Sequence, residues 1–295
     1  MQEYAEIFIN KNSASNIETA EIPKINNNSI YHYTSPEAFI NIIKNKKLWF
    51  TNIRFLNDKM EFCCGLEVML NCIKQIDKNI SDEKLSNIKN DIIKSGNSYV
   101  ACFSKDRDNL GLWNYYTRNM NNYGYNICFN LNNLIKCIIK NKNLIGFHVI
   151  FGEILYNLEE YKVHINNLIN GSKSPLKCNI YQYDSIYNKF INFSMNELPF
   201  IKHESYSSES EIRILLECDK KHLDKEKLLF RNNNGIITPY IEVDIDINAI
   251  KGVTLSPGIK DDIAIEGIKK LLTKNDIKLE QLTMGIKQSK IPLRF

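Results

Sequence analysis

Two short stretches hold the residues best suited to chemistry: "SIYHYTSPEAF", Ser29 to Phe39, and "KHESYSSESEIRILL", Lys202 to Leu216. In the first, strand alternation sends His32 and Thr34 to one face and Tyr31 and Tyr33 to the other. In the second it sends Glu209, Glu211 and Arg213 to one face and Ile212, Ile214 and Leu216 to the other. Two carboxylates about 7 Å apart on one sheet face are costly unless they are solvated, paired or used, and Arg213 offsets only part of that. A carboxylate so placed can stabilise a growing positive charge or take a proton, and an imidazole can hold a hydroxyl in place. Each group also has a purely structural use: the His satisfied by backbone in the core, the acids solvated on an edge strand with one cross-strand ion pair.

A third stretch, "VACFSKDRDNLGLWNYYTRNMNNYGYNICFN", sets Phe103 and Ser104 at a strand end and then bunches Trp113, Tyr115 and Tyr116 at a strand-to-helix junction. Aromatics there plug a core or stack a flat ring. In "WFTNIRFLNDKMEF", Asn57-Asp58 and Glu61 are ordinary turn and helix-start chemistry. His32-Tyr33-Thr34 and His203-Glu204-Ser205 are also an H-x-T and an H-x-S. On facing strands such motifs form the acid/base pair of two-histidine phosphoesterases.

The elements that must position these groups follow from periodicity. "IYHYTS" is a strand, and Ser35-Pro36 starts a helix with Pro at its first position. "KKLWFTNIRFLND" is a short strand running into a turn, and Phe62 to Ile76 repeats at helical spacing. "SDEKLSNIKNDIIKSGN" has a Ser cap, early acids and a Gly stop. Strands are expected at 98–104, 124–130, 144–154, 210–217, 236–244 and 250–257, a helix over Asp261–Lys274, then strands in "IKLEQLTMG" and "KIPLRF". The stretch "PLKCNIYQYDSIYNKFINFSMNELPF" leans to helix. Residues 1–28 are expected to be a leading arm, and 29–295 one α+β domain with a split, mostly antiparallel β core flanked by helices.

Composition excludes the extremes. With 43% hydrophobic and 24% charged residues in 295, the chain can bury a large core. A net charge of +4 permits contact with nucleic acid without arguing for it. No apolar run reaches the roughly 18–20 residues that span a bilayer. The opening residues carry early acids and no apolar core of a secretory signal, so no membrane contact and a cytoplasmic location are expected. The eight cysteines form no C-x-x-C pair and are expected to be reduced, with no metal bound.

Taken together, "YHYTSPEAFINIIKNKKLWFTNIRFLNDKMEF", "ACFSKDRDNLGLWNYYT" with "GYNICF", "ESEIRILLE" and the closing "SKIPLRF" resemble the bacterial domain-of-unknown-function family 2971. That family in turn resembles the ADP-ribosyltransferase fold, in which a first-strand His, a central aromatic and a late-strand Glu converge on NAD. The resemblance implies an NAD-dependent ADP-ribosyltransferase or NAD glycohydrolase, with NAD as co-substrate and no metal. Its catalytic residues would be Glu211, His32 and Glu209, with Glu211 ranked first as the second acid of Glu-x-Glu. His32, Tyr33, Thr34, Ser104, Trp113, Tyr115, Tyr116 and Arg213 would bind NAD. The resemblance also implies a toxin or phage-defence effector acting on a protein or nucleic acid, with an antitoxin or chaperone as partner. The chain departs from the pattern in having no Ser-Thr-Ser strand between the His and Glu strands. A two-histidine RNA or cyclic phosphodiesterase and a non-enzymatic nucleotide- or protein-binding domain are the alternatives.

Overall fold

The protein was analysed as a computed structural model that describes residues 5–8, 28–56, 61–95, 98–117, 123–169, 197–218, 227–233 and 235–292. Strand β1 (Ala5–Phe8) lies within the expected arm, and β2 (Ser29–Thr34) follows. The Ser35 hydroxyl accepts from the Ala38 amide at 3.2 Å and Pro36 opens helix α1 (Pro36–Asn45), as capping chemistry requires. Lys46 in the left-handed region ends that helix and leads into β3 (Lys47–Asn52). Helices α2 (Glu61–Ile76) and α3 (Asp82–Ser95) come next, then β4 (Ser98–Ser104), α4 (Leu110–Thr117), β5 (Tyr125–Asn130), α5 (Leu131–Lys140), β6 (Phe147–Glu153) and α6 (Leu158–Ile169). The described chain closes with β7 (Glu211–Cys218), β8 (Leu229–Asn233), β9 (Ile236–Asp244), β10 (Ile250–Leu255), α7 (Asp262–Lys274) and β11 (Gly285–Gln288).

The strands form one open sheet in the order β1-β6-β7-β4-β2-β5-β10-β11, antiparallel throughout except for the parallel pair β10–β11. It splits at β4. One edge of that strand meets β2 at Ser104 (with Tyr31) and β3 at Val100 and Tyr99 (with Thr51 and Asn52), and β3 leads off into β9 and β8. The chain is therefore α+β with a mostly antiparallel sheet flanked by helices.

One face of the sheet is apolar. Ile30, Phe103, Ile127, Phe129, Ile212 and Ile214 pack there with buried positions of α1, α5 and α7 in the largest core. On the other face Leu112 and Trp113 of α4 cover Tyr31, Tyr33 and Cys128, while Phe200 packs with Val100, Ile150 and Leu215. A separate helical core joins α2, α3 and α6 to Leu198 and Ile201. A Cβ added at Gly65 would lie 2.8 Å from Leu198, so α2 uses glycine to approach that segment.

Ala5–Phe8, within the expected arm, pairs with β6 at the edge of the sheet. The stretch 277–285 is a 3-10 turn at Leu279–Gln281 rather than a strand, which sends Leu279 and Leu282 together against the core, and pairing begins only at Gly285. Lys290 to Pro292 are irregular. The hairpin β8–β9, turning at Gly235 with φ 84°, was hidden in "RNNNGII" because an Asn run carries no hydrophobic period. The stretch 175–200 lies outside the described residues up to 196, and its end forms a 3-10 turn, Leu198–Phe200.

Candidate functional site

Register decides what can meet. Glu211 of β7 pairs with Ser104 of β4, Ser104 with Tyr31 of β2, and Tyr31 with Cys128 of β5. Paired residues share a face, so Glu211, Ser104, Tyr31 and, two further on, Tyr33 and Arg213 all stand on the α4-covered side. His32 and Thr34 stand on the apolar side. The alternation expected for β2 is correct, but the imidazole and Glu211 are on opposite faces of the sheet.

His32 has a structural partner there. Its Nδ1 lies 3.0 Å from the Cys102 carbonyl, on the stretch of β4 between its pairings with β2 and β3. A carbonyl can only accept, so Nδ1 carries the proton. Its ring tilts against Phe103 at 5.5 Å. Burial lowers its pKa and the Arg231 charge adds to that, opposed by the carbonyl bond, so the ring is neutral near pH 7. His203 is exposed and accepts from the Ser205 amide at 3.2 Å as the cap of a 3-10 turn. The two histidines do not face each other.

A shallow cleft opens on the opposite side, lined by Tyr31, Tyr33, Ser104, Tyr116, Glu209 and Glu211, with Cys102, Phe103 and Leu112 completing its wall; it encloses about 20 Å³. Glu209 is not on the strand. It ends the 3-10 turn Glu204–Glu209, and Ser210, left-handed at φ 46°, swings the chain into β7. The Ser104 hydroxyl donates to the Glu209 carbonyl at 2.7 Å and holds that turn over β4.

The acids are paired by residues from two directions. Arg213 donates from Nε to Glu211 Oε1 at 2.7 Å and from Nη2 to Oε2 at 3.1 Å, a two-point grip, and its Nη1 donates to the Pro199 carbonyl. Lys202 Nζ donates to Glu209 Oε2 at 2.6 Å and Glu211 Oε2 at 3.1 Å, and lies 4.7 Å over the Tyr206 ring. Burial alone would push the Glu211 carboxyl up. The charges of Arg213 and Lys202, with hydrogen bonds from Arg213 and the Cys102 thiol, instead hold it well below the usual carboxylate range. The Tyr156 hydroxyl accepts from the Glu211 amide at 2.9 Å.

The aromatic wall is anchored by one acid. Asp108 accepts from Trp113 Nε1 at 2.8 Å, Ser289 Oγ at 2.6 Å and the Lys290 amide at 2.8 Å, tying α4 to the chain beyond β11. Trp113 is thus a core residue, 1% exposed, stacked edge-on against Tyr33 at 4.7 Å. Tyr33 donates to the Asp106 carbonyl at 2.7 Å and accepts from the Asn109 amide at 3.0 Å. Tyr116 and Tyr115 remain 40% and 51% exposed, edge to face at 5.2 Å.

Of the residues singled out from sequence, Tyr33, Ser104, Tyr116, Glu209 and Glu211 meet at the cleft with Arg213 behind them. His32, Thr34 and Trp113 do not line it, and Tyr115 stands beside Tyr116. Asn57 and Asp58 lie outside the described residues, and Glu61 is the first residue of α2. Sequence reasoning missed Lys202, which has no local signature in "PFIKHES", and Tyr31, which was seen only as half of an aromatic pair.

The geometry can be set beside known families. Residues 112–214 match the family model of a protein of unknown function, DUF2971. Within the DUF2971 match lie Tyr116, Glu209, Glu211 and Arg213, together with Lys202, Tyr156 and Trp113; Tyr31, His32 and Ser104 precede it. No curated protein and no solved structure matches the chain. Among the described residues no group of three or more His, Cys, Asp or Glu is placed to hold a metal, and no helix is long and apolar enough to cross a membrane.

Proposed function

We propose that the chain breaks the bond between nicotinamide and ribose in NAD, as an ADP-ribosyltransferase or NAD glycohydrolase, in the cleft between α4 and the Glu204–Glu209 turn. The observation that carries this reading is the acid pair Glu209 and Glu211 at one end of a tyrosine-lined cleft. In that reaction the C1′–N bond breaks with its electron pair leaving on nicotinamide, and positive charge grows on the ribose. A carboxylate beside C1′ stabilises that charge; with water as acceptor, the new C1′–O bond forms and the water proton passes to a carboxylate. Tyr31, Tyr33 and Tyr116 offer flat apolar walls for the departing ring.

The space enclosed between the cleft's side chains is about 20 Å³, far below the roughly 300–1,000 Å³ of small-molecule sites, so nicotinamide and its ribose require the cleft to open. His32 has no part in this reading, because it stands behind the sheet. One observation favours a second reading, a nucleotide-binding domain without turnover: both oxygens of Glu211 already accept from cations. Incubating the purified protein with NAD carrying labelled nicotinamide separates the two. Release of free nicotinamide supports cleavage, saturable binding with no release supports the second reading, and neither binding nor release removes both.

A further inference from the structure

Glu209 and Glu211 are not equivalent. The Glu211 side chain is 7% exposed and gripped at both oxygens by Arg213 and Lys202, whereas the Glu209 side chain is 20% exposed and sits on a turn. Moving Glu211 toward a ligand would strand the buried Arg213, at 2% side-chain exposure, and leave Lys202, at 9%, with Glu209 as its carboxylate partner. A buried charge deprived of its partner is strongly destabilising, so that carboxylate is fixed. Glu209 lines the cleft from its turn, and Lys202 is also held by Glu211 when Glu209 engages a ligand.

We infer that Glu209 is the carboxylate that meets the substrate, and that Lys202 is a positioning residue: anchored on Glu211, it carries a positive charge to Glu209 and keeps it ionised beside a second acid. This rests on the reading of the cleft as an NAD-cleaving site, and it reverses the ranking of the two acids taken from the Glu-x-Glu pattern. The groups facing this pair are Arg213 and Cys102 from the sheet, Tyr156 at the Glu211 amide, Tyr116 across the cleft and Tyr206 under the ammonium. Lys202 is the cation bonded to both carboxylates. Without it the two acids repel, and Glu209 takes up a proton more readily. Because Glu209 acts as an anion, that lost charge shows as lost turnover on the acid side of the pH profile.

The test is kcat and KM against pH for the full chain and four variants. Glu209→Gln is expected to lower kcat about 100-fold or more with its melting temperature nearly unchanged. Glu211→Gln is expected to lose folding stability first. Lys202→Met should move the acid limb of kcat up by about one pH unit with little change in KM, and Lys202→Arg should restore it. Wild-type turnover in Glu209→Gln, or an unmoved acid limb in Lys202→Met, overturns the inference. Should Lys202→Met not fold, carboxyl carbon NMR of Glu209 in Lys202→Arg decides: titration as in the wild type supports the role, and an upward shift overturns it. The same NMR on ligand-free protein separates the positioning role of Lys202 from NAD cleavage. A Glu209 titration that depends on Lys202, in a protein that releases no nicotinamide, keeps the positioning role and removes the NAD reading.

Discussion

The two faces of β7 are both buried, but by opposite means. Ile212, Ile214 and Leu216 face the core and interlock with other hydrocarbon side chains, at 0% exposure each. Glu211 and Arg213, alternating with Ile212 and Ile214 in sequence, are buried at 6% and 1% as ions, neutralised by each other and by Lys202. The apolar face keeps its stability through any change of pH or salt that leaves hydrocarbon burial intact. The ionic face holds a charged group in a defined place, and its partners must all be present at once. A sheet can thus put stability on one side of a strand and a poised acid on the other.

Breaking each face should show this difference. The largest loss is expected from Arg213→Met, which leaves Glu211 buried without its two-point partner: about 3–5 kcal/mol in denaturant unfolding. A loss under about 1 kcal/mol would mean the ion group is better solvated than its burial indicates. Ile214→Ala on the other face should lose about 2–5 kcal/mol with no dependence on pH between 4 and 8. Trp113→Phe keeps most of the ring but leaves Asp108 without one donor, and about 1–2 kcal/mol of loss is expected by thermal melting.

Acid should separate the faces by pH range. His32 has a folded pKa below its unfolded value, so its contribution is complete above the ordinary histidine range and is lost as pH falls through it. Glu211 is also lowered, so its contribution is complete above the ordinary glutamate range and disappears only at lower pH. Stability should therefore fall in two steps on acidification, and His32→Gln should remove the first, on the order of 1 kcal/mol. A single step in the glutamate range for both proteins would contradict the lowering of the imidazole pKa in the fold. The smallest effect is expected at Ile237, 71% exposed on β9, where Ser should change stability by no more than about 0.5 kcal/mol.

Much of this was legible in the sequence because local rules decide it. The Ser35-Pro36 start, the strands around Phe103, Ile127 and Ile214, and the segregation of Tyr31 and Tyr33 from His32 all follow from capping and alternation within one segment. The relation between segments is not local. Whether His32 shares a face with Glu211 depends on the register Tyr31 to Ser104 to Glu211, and a slip of one residue at either step would reverse the answer. Glu209 shows the same limit from another side. Its two-residue spacing from Glu211 reads as strand alternation, but a left-handed Ser210 puts it on a turn, where Lys202 brings the acids together.

The account stands on the cleft side of the sheet working without the imidazole behind it. The most direct measurement is nicotinamide released from NAD by the purified wild type, His32→Gln and Glu209→Gln, each first shown to be folded by circular dichroism. Release by the wild type, kept within about threefold in His32→Gln and lowered about 100-fold or more in Glu209→Gln, is the result expected here. Release that vanishes in folded His32→Gln and persists in Glu209→Gln would place the chemistry on the other face and contradict it.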